Sequence, residues 1–194
     1  LKTKFIDLVK TINRDGILEL LKWIESKSDF FETTCSTKYH NNFYGGLVDH
    51  SVKVYELFKE KCDYWRNKNL DIFLPDDDSI KIQALFHDIC KSNFYTQGSR
   101  NVKNETTGKW EKKPIWETND KFPVMGHGLK SVIMLQNFIK LKDYEIYSIS
   151  SHMGVPDNYR DSNSFHKSLE LYPFIILLHT SDFESSVLLE KTIK

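Results

Sequence analysis

A chain of 194 residues and 22.9 kDa is long enough to enclose a substantial core, and a single domain spanning 1–194 is expected. Its 27 basic residues balance its 27 acidic ones, so no global positive field points to duplex nucleic acid. Cys35, Cys62 and Cys90 are odd in number and form no CxxC pair, which argues against a disulfide framework or a thiolate zinc site and suits a reducing cytosol. The longest apolar stretch, FIILL at 174–178, is far too short to span a bilayer, and no signal-peptide pattern opens the sequence. A soluble cytoplasmic protein without a membrane partner is expected; self-association is left open.

Helical periodicity dominates from the start. FIDLVKTI (5–12) and ILELLKWI (17–24) space their apolar residues at three and four, with Asp15-Gly16 as the break between two short amphipathic helices. The polar, aromatic stretch 28–46 ends in Gly45-Gly46 and reads as a loop feeding a long helix over 47–65. Pro75 then supplies a stop. Asp76-Asp77-Asp78-Ser79 supplies N-cap residues for the helix carrying ALFHDICK (84–91), and this aspartate run is read as capping and solvated before it is read as a metal site. From Tyr95 the pattern changes: short alternating arms flank an ETTG turn, which predicts a β-hairpin inserted over 95–122. Helices resume over 127–141, near 143–153 and over 169–190, where Pro173 suits a first turn.

The ALFHDICK segment places His87 and Asp88 side by side in an apolar helical run. An unpaired buried carboxylate costs several kcal/mol, roughly, so the pair needs hydrogen bonds, an opposite charge or a metal ion. Seven histidines occur, several beside small or acidic residues: His50 in GGLVDHS, His127 in GHG, His152 in SSHMG, and His179 ahead of Asp182. Imidazole nitrogen and carboxylate oxygen together suit Zn, Mn, Fe, Co or Ni. A metal is the compensation this reading favours.

The order H … HD … D, as His50, His87-Asp88 and Asp182, resembles the HD-domain metal-dependent phosphohydrolase superfamily. YHNNFYGGLVDHS, ALFHDICK and LLHTSDFESS are similar to its ligand helices, and FPVMGHGLKS and SSHMG to the segments carrying its extra histidines. The resemblance runs from about Ser28 to Ser186 and implies an all-α HD-domain helical bundle, here with a short β-hairpin insertion. It implies that His50, His87, Asp88 and Asp182 bind a first divalent ion (Mn, Co, Ni, Zn, Fe or Mg), with Asp88 able to bridge, and that His127 and His152 bind a second. Lys91 resembles the lysine that meets a substrate phosphate beyond the HD pair, so Asp88 and Lys91 are the expected catalytic residues.

Arg100 and Lys103, with Tyr95, Trp110 and Trp116, are read as a basic and aromatic lid over a nucleotide, or more plainly as a hairpin packed by its tryptophans. His40 is a further substrate contact. His166 reads as exposed, and His179 as a partner that orients Asp182 or simply packs. The expected activity is hydrolysis of a small nucleotide, whether a deoxynucleoside mono- or triphosphate or a cyclic nucleotide. The alternatives are a 3′–5′ single-strand exonuclease and a nucleotide-binding regulator without turnover. The complete ligand set disfavours the last.

Overall fold

The computed structural model describes residues 1–119, 126–154 and 159–191, with residues 159–162 described by their backbone alone. Among the described residues an α-helical body carries one two-stranded antiparallel hairpin. In chain order the elements are α1 (Lys2–Lys10), α2 (Ile17–Lys27), α3 (Gly46–Arg66), α4 (Asp77–Phe86), β1 (Tyr95–Lys103), β2 (Trp110–Thr118), α5 (His127–Gln136), α6 (Asp143–Ser150), α7 (Tyr159–Leu171) and α8 (Ile175–Glu184). Among the described residues no helix is long and apolar enough to cross a membrane.

The apolar spacing of the sequence becomes packing directly. Phe5 and Val9 of α1, and Ile17, Leu20, Leu21 and Ile24 of α2, face one core together with Leu47, Val48 and Val52 of α3 and Leu85 and Phe86 of α4. The Phe5 ring lies 5.7 Å from the Phe86 ring, so the residue just before the His87-Asp88 pair is anchored in the middle of this cluster. A second core joins Val54 and Phe58 of α3 and Ile80 and Ala84 of α4 to Phe165, Phe174, Ile175 and Leu178. Helices α3 and α4 belong to both cores and form the central pair against which the others pack.

Asp76 caps α4 as its position suggested, its side chain accepting from the Ser79 backbone N–H at 2.8 Å. The hairpin runs in register from Tyr95 opposite Thr118 to Lys103 opposite Trp110. Asn104 closes its turn by accepting from the backbone N–H groups of Thr106 and Thr107, both at 3.0 Å. The end of the predicted insertion, 120–122, lies outside the described residues, as do residues 122–125 of the FPVMGHGLKS segment.

Two helix readings need correction. The α4 helix does not run through ALFHDICK: it stops at Phe86, and after His87 and Asp88 the backbone tightens into a single 3-10 turn, Ile89–Lys91. The segment 169–190 is not one helix either. Pro173 falls between α7 and α8 rather than in a first turn, because it has no N–H to donate and disfavours α conformation in the residue before it. Beyond α8 the chain widens into a π-helical turn, Ser185–Leu189.

A buried ion pair ties the first loop to α6. Arg14 donates to both carboxylate oxygens of the fully buried Glu145, at 2.8 and 3.0 Å, and to the Lys140 carbonyl at 2.9 Å. Arg14→Ala leaves that carboxylate without a counter-charge and with the Lys142 backbone N–H at 2.7 Å as its remaining donor, and a loss of about 3 kcal/mol is expected in urea unfolding. A change within about 0.5 kcal/mol would show that Glu145 is satisfied without it.

Candidate metal centre

Four helix ends converge. His50 stands one turn into α3, and the start of that helix is fixed by a close backbone approach: a Cβ at Gly46 would lie 2.0 Å from the Asn41 carbonyl oxygen. Asn41 also donates to Asp49 at 2.6 Å, which locks the loop 28–45 against the first turn of α3. His87 and Asp88 sit where α4 gives way to the 3-10 turn. His152 follows the last turn of α6, and Asp182 projects from α8. His50, His87 and His152 are fully buried, and Asp88 nearly so.

The three imidazoles are oriented alike. His87 Nδ1 donates to the Ala84 carbonyl at 2.9 Å and His152 Nδ1 to the Ile149 carbonyl at 2.7 Å, each ring capping the end of its own helix. A carbonyl only accepts, so both rings carry a proton on Nδ1 and turn Nε2 inward, where it offers a lone pair whenever the ring is neutral. His50 Nδ1 is bonded to a carboxylate oxygen, Glu190 Oε1, at 2.6 Å. Gly128 allows α6 to end where it does, since a Cβ there would meet the Ile149 carbonyl oxygen at 2.4 Å.

The inward atoms crowd together. His50 Nε2 lies 3.0 Å from His87 Nε2, 3.2 Å from Asp182 Oδ1 and 3.6 Å from Asp88 Oδ2. His87 Nε2 is 3.5 Å from Asp88 Oδ2 and 3.9 Å from Asp182 Oδ1. The other Asp88 oxygen, Oδ1, faces His152 Nε2 at 3.6 Å, and both of these buried atoms lack a hydrogen-bond partner. His50, His87 and Asp182 thus offer three ligand atoms within 4.8 Å of one another, and so do His87, Asp88 and His152.

This donor set fits a divalent first-row ion. Two Nε2 lone pairs 3.0 Å apart repel unless a proton or a cation lies between them. Burial opposes charge on His50, but Cys35, Asp182 and Glu190 outweigh it and push its pKa well up. For His152 the same opposition from burial is overcome by Asp88. His87 is instead lowered by its burial, to about 4. Burial raises the Asp88 carboxyl, yet Lys91, His87 and His152 together hold it well below the usual carboxylate range. The carboxylates that would hold an ion therefore draw protons onto two of the rings, and cation binding competes with protonation.

The cluster opens into a cavity of about 500 Å³ whose lining includes Asp88, Lys91, His127, His152, Asp182 and His40. Lys91 Nζ donates to Asp88 Oδ2 at 2.6 Å and lies 3.6 Å from Cys35 Sγ. Burial would lower the Lys91 ammonium, but Asp88 raises it well above the ordinary value. His127 belongs to neither ligand group: its Nδ1 lies 3.7 Å from Cys90 Sγ, at the cavity wall. The structure gathers His152 with His87 and Asp88 rather than with His127. His179 does not orient Asp182; its Nδ1 donates to the His152 carbonyl at 2.7 Å, made possible by Gly154, where a Cβ would meet the His179 ring at 2.7 Å.

Arg100 and Lys103 are not at this cavity. A strand advances roughly 3.4 Å per residue, so five residues beyond Tyr95 the hairpin has already left the mouth. Arg100 lines a second cleft of about 800 Å³ with Lys38, Tyr44, Lys113 and Trp116, and Lys103 lines a third, beside Glu105 and Glu111. Trp110 is exposed near the hairpin turn, and the cavity receives Tyr95 and Thr118 from the hairpin base.

Glu190 is the residue that sequence reasoning missed. Its side chain is fully buried 140 positions from His50, and its oxygens take the Nδ1 atoms of both His50 and His40 at 2.6 Å. Burial alone would raise this carboxyl, but those two bonds hold it far below the usual range. His40, which burial would lower, is pushed up to about 9 by Cys35 and Glu190. Among known families, the HD domain model matches residues 47–173, a span that contains His50, His87, Asp88, His127 and His152 and stops short of Asp182 and Glu190. No curated protein and no solved structure matches the chain.

Proposed function

The chain belongs to the HD domain family, whose members are typically metal-dependent phosphohydrolases, and from that premise we propose that it hydrolyses a phosphoester or phosphoanhydride bond of a small nucleotide. The observation that carries the reading is the meeting of three inward Nε2 atoms with Asp88 and Asp182 at the floor of an open cavity. A divalent ion there would acidify a bound water toward neutrality and offset charge on phosphoryl oxygens.

The chain's own groups divide the remaining work. His50, His87, Asp88 and Asp182 would hold one ion, and the free Oδ1 of Asp88 together with His152 supports a second beside it. Lys91, which lines the cavity beside Asp88, would take a phosphate oxygen, a role an ammonium performs well. His40 is charged near neutral pH and lines the mouth, where it suits an anionic substrate. His127 is lowered by its burial, so it faces the cavity as a neutral ring able to donate or accept a hydrogen bond.

A second reading, a 3′–5′ single-strand exonuclease, is favoured by one feature. The cleft of Lys38, Arg100 and Lys113, with the 65% exposed Tyr44 and with Trp116, adjoins the metal cavity through Thr37, which lines both. Cations beside aromatic faces suit a strand of nucleotides.

The deciding experiment incubates the protein with Mn, Co, Ni, Zn, Fe or Mg and a panel of deoxynucleoside mono- and triphosphates, cyclic nucleotides and short single strands. Release of phosphate or nucleoside from a mononucleotide is expected, with two ions bound per chain at saturation. Shortening of strands alone would favour the exonuclease, and no hydrolysis with any metal would overturn both readings. One ion at saturation would remove the dinuclear form while leaving hydrolysis standing.

A further inference from the structure

With a divalent ion held as above, we propose that Glu190 is the positioning residue that presents His50 to it. The three ligand histidines solve the same problem by different means. His87 and His152 lie at helix ends, where a carbonyl three residues back is free to take the Nδ1 proton. His50 lies inside α3, where the carbonyls of its own helix are committed to the i→i−4 ladder. It therefore needs an acceptor from elsewhere, and Glu190 Oε1 supplies it at 2.6 Å.

The same C-terminal segment grips both nitrogens of this ring. Asp182 Oδ1 lies 3.2 Å from Nε2, and after the π-helical turn Ser185–Leu189 the chain returns Glu190 to Nδ1. With the Nδ1 proton held by a carboxylate, Nε2 is left as a lone pair and the ring is more basic as a ligand. Glu190 Oε2 meanwhile accepts from His40, and the Asn41 N–H donates to the Lys191 carbonyl at 2.8 Å. One buried carboxylate thus links a metal ligand to the loop at the cavity mouth.

Glu190→Ala and Glu190→Asp test the assignment, the second keeping the charge on a side chain one methylene shorter. Calorimetric titration with Mn²⁺ should show affinity weakened about 10- to 100-fold in Glu190→Ala and less in Glu190→Asp. Nitrogen-detected NMR of the metal-free protein at alkaline pH, with the His50 ring neutral, should show its single proton held on Nδ1 in the wild type and shared between the two nitrogens in Glu190→Ala. Should Glu190→Ala fail to fold, Glu190→Asp carries both measurements. Unchanged Mn²⁺ affinity and an unchanged His50 tautomer, even with a lower unfolding midpoint, would make Glu190 a purely structural residue and overturn the proposal. A wild type that binds no Mn²⁺ would instead remove the metal-centre reading itself.

Discussion

Asp88→Asn is expected to strip the bound metal and to lower turnover by about 10²- to 10³-fold, the scale on which losing one preorganised electrostatic group slows an enzyme. Asp88 spans the cluster with separate oxygens, Oδ2 toward His50 and His87 and Oδ1 toward His152. An amide of the same volume keeps the packing but loses the negative charge that draws cations to that point. Helical content should not change, because Asp88 lies in the turn beyond α4 and the apolar anchor of that helix is Phe86. The stability of the wild type should respond to metal by mass action, about 2.7 kcal/mol when free metal is at 100 times Kd, and chelator should remove that increment. The Asp88→Asn protein should melt at the same temperature with and without chelator. A variant that keeps wild-type turnover and metal content would refute the assignment of Asp88.

The parts of this molecule legible from sequence are those governed by short-range patterns. Three-and-four spacing placed α1 and α2, Asp76 marked the start of α4, and alternation around ETTG located the hairpin. His50, His87-Asp88 and Asp182 could be singled out because they stand in segments with a recognisable order, and the structure gathers their side chains. What escaped depends on where segments meet. Glu190 closes the apolar run VLLE and looks like a solvated end of an amphipathic helix; only the π-helical turn and the return toward α3 make it a buried partner of His50. The functions given to His179 and His127 failed to anticipate the geometry for a similar reason. Spacing from Asp182 could not reveal that the His179 ring reaches back to the His152 carbonyl, and a neighbouring glycine could not reveal that Gly128 serves the approach of α6. Arg100 and Lys103 were assigned by composition, and composition carries no information about how far nine-residue arms stand from the cavity.

Lys91→Met is expected to separate catalysis from metal binding. Turnover per bound metal should fall by about 10- to 100-fold, in line with losing a charged hydrogen bond of roughly 1.5–3 kcal/mol. Metal affinity should hold or rise. The reason lies in where the ammonium sits: Nζ is 2.6 Å from Asp88 Oδ2, and that same oxygen faces His50 Nε2 at 3.6 Å. A positive charge so close to a ligating oxygen opposes a divalent ion and competes with it for the carboxylate. Methionine fills much of the buried volume without that charge, leaving Asp88 more available to a cation. The metal-free variant should be the less stable form, because its nearly buried carboxylate has lost its strongest counter-charge. Added Mn²⁺ should therefore raise its unfolding midpoint by more than it raises that of the wild type. A lysine that only braces the turn would behave in the opposite way, with metal affinity falling as Asp88 shifts and turnover per bound metal staying within about twofold of wild type.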